Sequence, residues 1–158
     1  MSKVLIACYS RSGYTASLAR EIADMTGWDL EEIKDRRPRD GNWGFARCIR
    51  DVLLHLQPAI ITGGKQPEDY DLVVLMAPVW MRRLAAPMRS YIARNRSGLK
   101  QVAFACTYGG NGAEWAAAQA AAIAHKPLKA SFAVTSQELE QADYRRRLDE
   151  FLKNVKAA

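Results

Sequence analysis

The sequence predicts an α/β fold, a parallel sheet with helices on both faces. Short apolar runs such as "KVLIAC" (3–8) and "YDLVVLMAP" (70–78) read as buried strands. A segment with apolar residues at helical spacing follows each strand. The strand–helix pair then recurs five times, with no repeat, linker or low-complexity tract between.

Each element has its own signal. "TASLAREIADMTG" (15–27) places Leu18, Ile22 and Met25 at helical spacing beside Ala19 and Ala23, and Gly27 suits a helix C-terminus. "WDLEEIK" (28–34) reads as an edge strand. "DRRPRDGNW" (35–43) reads as a polar, basic loop, after which Phe45, Ile49, Val52, Leu53 and Leu56 mark a second helix. "QPAIITGGKQPED" (57–69) is expected to be a loop, and residues 70–78 the central strand. "APMRSYIARN" (86–95) predicts a helix with Pro87 in its first turn. "KQVAFACT" (100–107) predicts a strand, and "GAEWAAAQAAAIA" (112–124) an alanine-rich helix packed close to the sheet. "KASFAVTS" (129–136) is the last strand. "DYRRRLDEFLKNV" (143–155) is the last helix, with Asp143 expected as N-cap and Tyr144, Leu148, Phe151, Leu152 and Val155 facing inward.

Composition narrows the function classes. The 158 residues suffice for one domain with a core, and 49% hydrophobic with 25% charged is an ordinary globular balance. No apolar stretch is long enough to span a bilayer, and the start, "MSKVLIACYSRSG", lacks the apolar core of a signal peptide, so a cytoplasmic location is expected. Cys8, Cys48 and Cys106 are too widely spaced for a zinc site or disulfide framework, and read as small buried residues. His55 and His125 stand alone, so no metal site is expected. The net charge is +6, with arginines clustered at 36–39, 82–83, 89–96 and 145–147. No nucleic-acid signature accompanies them, so a solvated basic surface is the reading and nucleic acid is not expected as a partner.

In sheets of this kind ligands bind at the carboxyl ends of the strands. Three turns lie there. Ser10-Arg11-Ser12-Gly13-Tyr14-Thr15 can form a nest of backbone N–H groups at a helix N-terminus, with three hydroxyl donors and a glycine that lets an anion approach. It suits a phosphate monoester. It matches neither GxGxxG nor GxxxxGK[ST], which argues against an ATPase or GTPase. "APVWMRR" (77–83) puts Trp80 where it could cover a flat ligand. "CTYGGNGAEW" (106–115) adds Tyr108 and a glycine-rich backbone at Gly109, Gly110 and Gly112. Taken singly, each turn also reads as a plain helix cap, a core tryptophan or ordinary turn geometry. Together they describe a pocket for a mononucleotide with a large planar base.

On the turn Ser10–Thr15, the strand "YDLVVLMAPVW" and the turn "TYGGNG", the chain resembles the flavodoxin family and related FMN-dependent quinone reductases over nearly its whole length. The resemblance implies a three-layer flavodoxin-like fold, 1–158 as one domain, and a five-stranded parallel sheet in the order 2-1-3-4-5. It implies FMN as cofactor. Ser10, Arg11, Ser12, Gly13, Tyr14 and Thr15 would hold the phosphate. Pro78, Val79, Trp80 and Met81 would line one side of the isoalloxazine, and Thr107, Tyr108, Gly109 and Gly110 the other.

Two departures stand out. Met76-Ala77 replaces the small pair often found there, which alters strand packing. Arg82 and Arg83 follow the ring-covering turn, and "TYGGNG" has no carboxylate before Glu114, whereas carrier flavodoxins are usually acidic around the flavin. The expectation is an oxidoreductase passing electrons from a nicotinamide cofactor, NAD(P)H, or a reductase to a quinone or other small acceptor. The alternatives are a one-electron carrier with an acidic protein partner and a flavin-free interaction module. No catalytic side chain is singled out, and the oligomeric state stays open.

Overall fold

A computed structural model describes residues 2–158. The elements run β1 (Val4–Tyr9), α1 (Tyr14–Thr26), β2 (Asp29–Asp35), α2 (Gly41–Leu53), β3 (Ile60–Ile61), β4 (Leu72–Trp80), β5 (Arg83–Leu84), α3 (Ala86–Asn95), β6 (Val102–Tyr108), α4 (Ala113–Ala124), β7 (Leu128–Thr135), α5 (Ser136–Gln141) and α6 (Arg145–Lys156). A single 3₁₀ turn, Pro67–Asp69, precedes β4.

The sheet order is β3-β2-β1-β4-β6-β7, with β5 paired to β4. The pairs β2–β1, β1–β4, β4–β6 and β6–β7 are all parallel. Counting only those five strands gives the expected 2-1-3-4-5. The two-residue strands β3 and β5 are antiparallel additions, on β2 and β4 respectively. The order reverses between β1 and β4, so a crevice opens beyond their carboxyl ends.

Period-two alternation in β1 splits the core in two. Leu5, Ala7 and Tyr9 point to one face, with Met88, Tyr91 and Ile92 of α3 and Ala116, Ala120 and Ala124 of α4. Val4, Ile6 and Cys8 point to the other, with Leu18, Ala19 and Ile22 of α1 and Leu148, Phe151, Leu152 and Val155 of α6. The alanines of α4 recur every fourth residue, so one small-residue stripe lets that helix approach the sheet closely. All three cysteines are free and buried. Burial pushes the Cys8 and Cys106 thiols up to about 12, which keeps them protonated and unreactive.

Several local expectations are corrected. Residues 57–69 hold β3 and the 3₁₀ turn rather than an unbroken loop. Met25 does not join the core face of α1 and is 52% exposed. Helix α2 begins inside the expected basic loop, at Gly41, and ends before Leu56. It buries Gly44, Cys48, Asp51 and Val52, leaving Phe45 and Leu53 about half exposed. Its inner face is organised around the buried arginine Arg39. Arg39 Nε donates to Asp35 Oδ1 at 2.6 Å and Nη2 to Asp51 Oδ2 at 2.7 Å. Polar residues thus occupy positions that helical periodicity assigns to apolar ones. At the C-terminus, α5 is an extra short helix with a complete capping box between Thr135 and Glu138. Tyr144, not Asp143, stands at the N-cap of α6.

Candidate functional site

The turn between β1 and α1 leaves backbone donors free. Gly13 takes φ +96°, a left-handed conformation that costs glycine little, and its N–H donates to Ser10 Oγ at 3.1 Å. The first helical bond runs from Ser17 N–H to Gly13 O at 2.9 Å. The N–H groups of Tyr14, Thr15 and Ala16 therefore have no acceptor within the helix, no side chain caps it, and no acidic residue sits in its first turn. With the helix dipole behind them, these donors form an anion cradle. Ser12 and Gly13 are exposed beside it.

The side chains of the turn divide into two groups. Ser10 and Ser12 can donate hydroxyls toward the cradle. Thr15 cannot do so freely: it is 2% exposed, and its Oγ1 lies 2.7 Å from Thr107 Oγ1, tying the first turn to β6. Arg11 leans away, with Nε donating to the Arg39 carbonyl at 3.2 Å and its guanidinium 5.7 Å from the Phe45 ring centroid. Tyr14 Oη donates to Glu140 Oε1 at 3.3 Å. For Arg11, Tyr14 and Thr15, the contribution to an anion is thus through the backbone.

The second turn is a tight hairpin joining β4 to β5, in which Trp80 pairs with Arg83. Its two central residues, Met81 (φ +48°) and Arg82 (φ +61°), are both left-handed. A two-residue hairpin of this hand demands that conformation, and Asn or Gly normally supplies it. Met81 and Arg82 adopt it at a cost of about 1 kcal/mol or more each.

Trp80 is half-buried and lies outside the cleft formed by this hairpin. Its ring meets Tyr9 edge to face, with centroids 5.7 Å apart at 84°, and the Arg39 guanidinium lies 6.0 Å from it. Tyr9 Oη donates to Asp35 Oδ2 at 2.6 Å, closing the network Tyr9–Asp35–Arg39–Asp51. Burial and the Asp35 carboxylate raise the Tyr9 hydroxyl well above its usual range. Burial opposes the charge on Asp51, but hydrogen bonds from Arg39 and Arg50 outweigh it and hold its carboxyl below the usual value. This network stiffens the wall behind Trp80.

The third turn meets the second across a cleft of about 490 Å³, lined by Val79, Met81, Arg82, Gly109, Gly110 and Asn111. A Cβ on Gly109 or Gly110 would meet nothing within 4 Å, so their backbone faces open space. Gly112 has another role. A Cβ there would lie 2.4 Å from Arg82 Cα, so the glycine permits the two loops to touch. Pro78 and Thr107 are register partners on β4 and β6 beneath the cleft. Tyr108 lines a separate hollow with Phe132, Arg147 and Phe151.

The structure thus brings Val79, Met81, Gly109 and Gly110 around one opening and sets Trp80 and Tyr108 apart from it. Arg82 and Asn111 line the opening too. The sequence reading did not place Arg82 or Asn111 among the cofactor-binding residues. The available signal for both was the turn geometry: each sits in a loop tip whose neighbours were assigned.

An anion cradle after β1 and a cleft between the β4–β5 hairpin and the β6–α4 loop both lie at the carboxyl ends of a doubly wound parallel sheet, where such folds bind nucleotides. The chain belongs to the flavodoxin family, whose family model matches residues 3–142. A search of curated proteins gives no significant match. Among solved structures the chain is similar to a Lactobacillus acidophilus flavoprotein in complex with FMN, with 20% identity and TM-score 0.75, covering 89% of this chain and 98% of that one. It is similar also to a Fusobacterium nucleatum flavodoxin bound to flavin mononucleotide, with 13% identity and TM-score 0.59, covering 99% and 98%. An oxidised flavodoxin from Bacillus cereus gives 16% identity and TM-score 0.56, covering 99% of each chain. At these identities the structural likeness concerns the fold.

Proposed function

We propose that this protein binds FMN and works as a small-molecule oxidoreductase, taking electrons from a nicotinamide cofactor or a reductase and passing them to a quinone or similar acceptor. The observation that carries the reading is the trio of unpaired N–H groups at Tyr14, Thr15 and Ala16, opening on the same strand ends as the cleft. Such donors fit a phosphate monoester, and the open backbone at Gly109 and Gly110 fits the edge of a planar ring. Ser10 and Ser12 would add hydroxyl donors to the phosphate. Val79 and Met81 would flank the ring on one side and Gly109 and Gly110 on the other.

When bound, FMN supplies reversible one- and two-electron redox chemistry. The protein's part is to hold and tune it. Arg82 lines the cleft, Arg83 follows it, and no carboxylate is among the lining residues. Positive charge there stabilises the negative charge that a fully reduced flavin tends to carry, and so favours accepting two electrons. The potential for full reduction should be less negative than in acidic flavodoxins. Replacing Arg82 and Arg83 together with Gln should lower that potential in an equilibrium redox titration. Anaerobic stopped-flow mixing with NADH and with NADPH tests the donor: rapid bleaching of the flavin band supports an oxidoreductase fed directly by a nicotinamide cofactor, and no bleaching by either removes that donor and favours the one-electron carrier.

A one-electron carrier with an acidic partner is the second reading. Exposed Arg36 and Arg37 beside exposed Trp43 and Phe45 near this end of the molecule favour it. Electron transfer to such a partner would slow steeply with salt.

A further inference from the structure

Beside the cleft lies a second opening of about 410 Å³, lined by Leu53, His55, Met81, Arg82, Arg83, Trp115 and Gln119. The two openings share Met81 and Arg82, the tip of the β4–β5 hairpin. No carboxylate lines the second opening. Arg82 stacks on the exposed Trp115 ring, 3.8 Å from its centroid, and Arg83 Nη1 donates to His55 Nε2 at 2.7 Å.

Behind it is an anomaly. Arg89 of α3 is 7% exposed, forms no ion pair, and its buried Nε has no hydrogen-bond acceptor. Its Nη2 lies 3.5 Å from Gln119 Oε1, a residue of the opening. Burial and the nearby Arg83 both depress the Arg89 guanidinium. A buried cation without a counter-charge is costly, and native structures seldom keep one without a use. The other arginine-rich hollow, around Arg36, Arg37, Arg47 and Arg50, differs because Asp51 lines it and binds Arg50. Among the described residues Arg82, Arg83 and Arg89 have no carboxylate partner at all.

We propose that this opening is an anion subsite, in which Arg83 meets a carboxylate or phosphate group directly, Arg89 adds positive potential from beneath through Gln119, and Trp115 with Leu53 covers the apolar body of the same ligand. The ligand is an anionic planar molecule whose ring reaches the edge of the adjoining cleft, beside Met81 and Arg82. That it exchanges electrons there rests on the function proposed above; binding of the anion does not. The charge could belong to a carboxylated acceptor or to the phosphates of a nucleotide donor.

Binding to the FMN-loaded protein is read from tryptophan fluorescence and calorimetry, with the flavin left oxidised. The ligands are 1,4-naphthoquinone-2-carboxylate, neutral 1,4-naphthoquinone and pyrophosphate. The expected result is that the carboxylate binds about tenfold or more tighter than the neutral quinone, and that Arg83→Gln abolishes the difference. Pyrophosphate competing with the carboxylate would point to a nucleotide donor, and carboxylate binding without such competition to a carboxylated acceptor. Arg89→Met separates binding from structural roles: it should weaken the anion at least severalfold while leaving the melting temperature unchanged or higher. Equal affinity for charged and neutral quinone, or a preference that survives Arg83→Gln, overturns the proposal. So does an Arg89→Met protein that melts lower and binds the anion as before. Repeating the carboxylate titration on FMN-free protein, with Arg83→Gln as control, keeps the two readings apart. Arg83-dependent binding there sustains the subsite even if FMN does not bind.

Discussion

At the scale of residues, a few contacts decide what the loops can do. Gly112 joins the two loops around the cleft, because any side chain would strike the Arg82 backbone and its φ of +95° is left-handed. Gly112→Ala should destabilise the fold by about 1–3 kcal/mol and weaken FMN binding, checked by urea unfolding and flavin titration. Met81 carries the opposite expectation. Asn tolerates its left-handed conformation better, so Met81→Asn should stabilise the hairpin by about 0.5–1 kcal/mol in the same assay. Asp51 is the residue through which pH acts. Its folded pKa lies below the ordinary carboxylate value, so its stabilisation is complete above about pH 4 and disappears as pH falls through the lower, folded value. Asp51→Asn leaves Arg39 short of a partner and should cost about 3 kcal/mol at neutral pH. The variant should also lose part of the stability decline seen in wild-type protein below pH 4, measured by denaturation across pH.

Elements show where sequence signals succeed and where they stop. The strands β1, β4 and β6 were legible because they are buried on both faces, and a run of apolar residues has few other uses. Helix α6 was legible because its apolar stripe is the face it buries. Helix α2 was not, because a buried ion-pair network takes the inner positions. Asp51 is buried there while Phe45 and Leu53 are not, a reversal periodicity cannot express. The hairpin at Met81-Arg82 was missed for a similar reason: neither residue advertises the left-handed turn it makes. The cradle, by contrast, rests on backbone and on Gly13, and a glycine in a hydroxyl-rich turn before a helix is visible in sequence. Which side chains leave it, as Arg11 and Thr15 do, depends on partners 28 and 92 residues away. Trp43 at the start of α2 is 86% exposed and touches no core cluster. Trp43→Ser should therefore change stability by less than about 0.5 kcal/mol in chemical denaturation.

For the whole molecule, the parallel sheet in the order 2-1-3-4-5 does one thing above all: it gathers three loops at the carboxyl ends of its strands. The cradle lies after β1, and the cleft lies between the hairpin after β4 and the β6–α4 loop. No described helix is long and apolar enough to cross a membrane, and no group of metal-ligating side chains occurs among the described residues. What the molecule offers a ligand is backbone donors, positive charge and a flat apolar opening. The net charge of +6 reinforces that preference for anions.

The proposed function rests above all on the Ser10–Thr15 turn holding the phosphate of FMN. The most direct test is to titrate FMN and riboflavin, which lacks only the phosphate, into the flavin-free protein and follow quenching of flavin fluorescence. FMN should bind about a hundredfold or more tighter than riboflavin, since several charge-assisted hydrogen bonds depend on that phosphate. Equal affinity for the two flavins, or no binding of either, would contradict it.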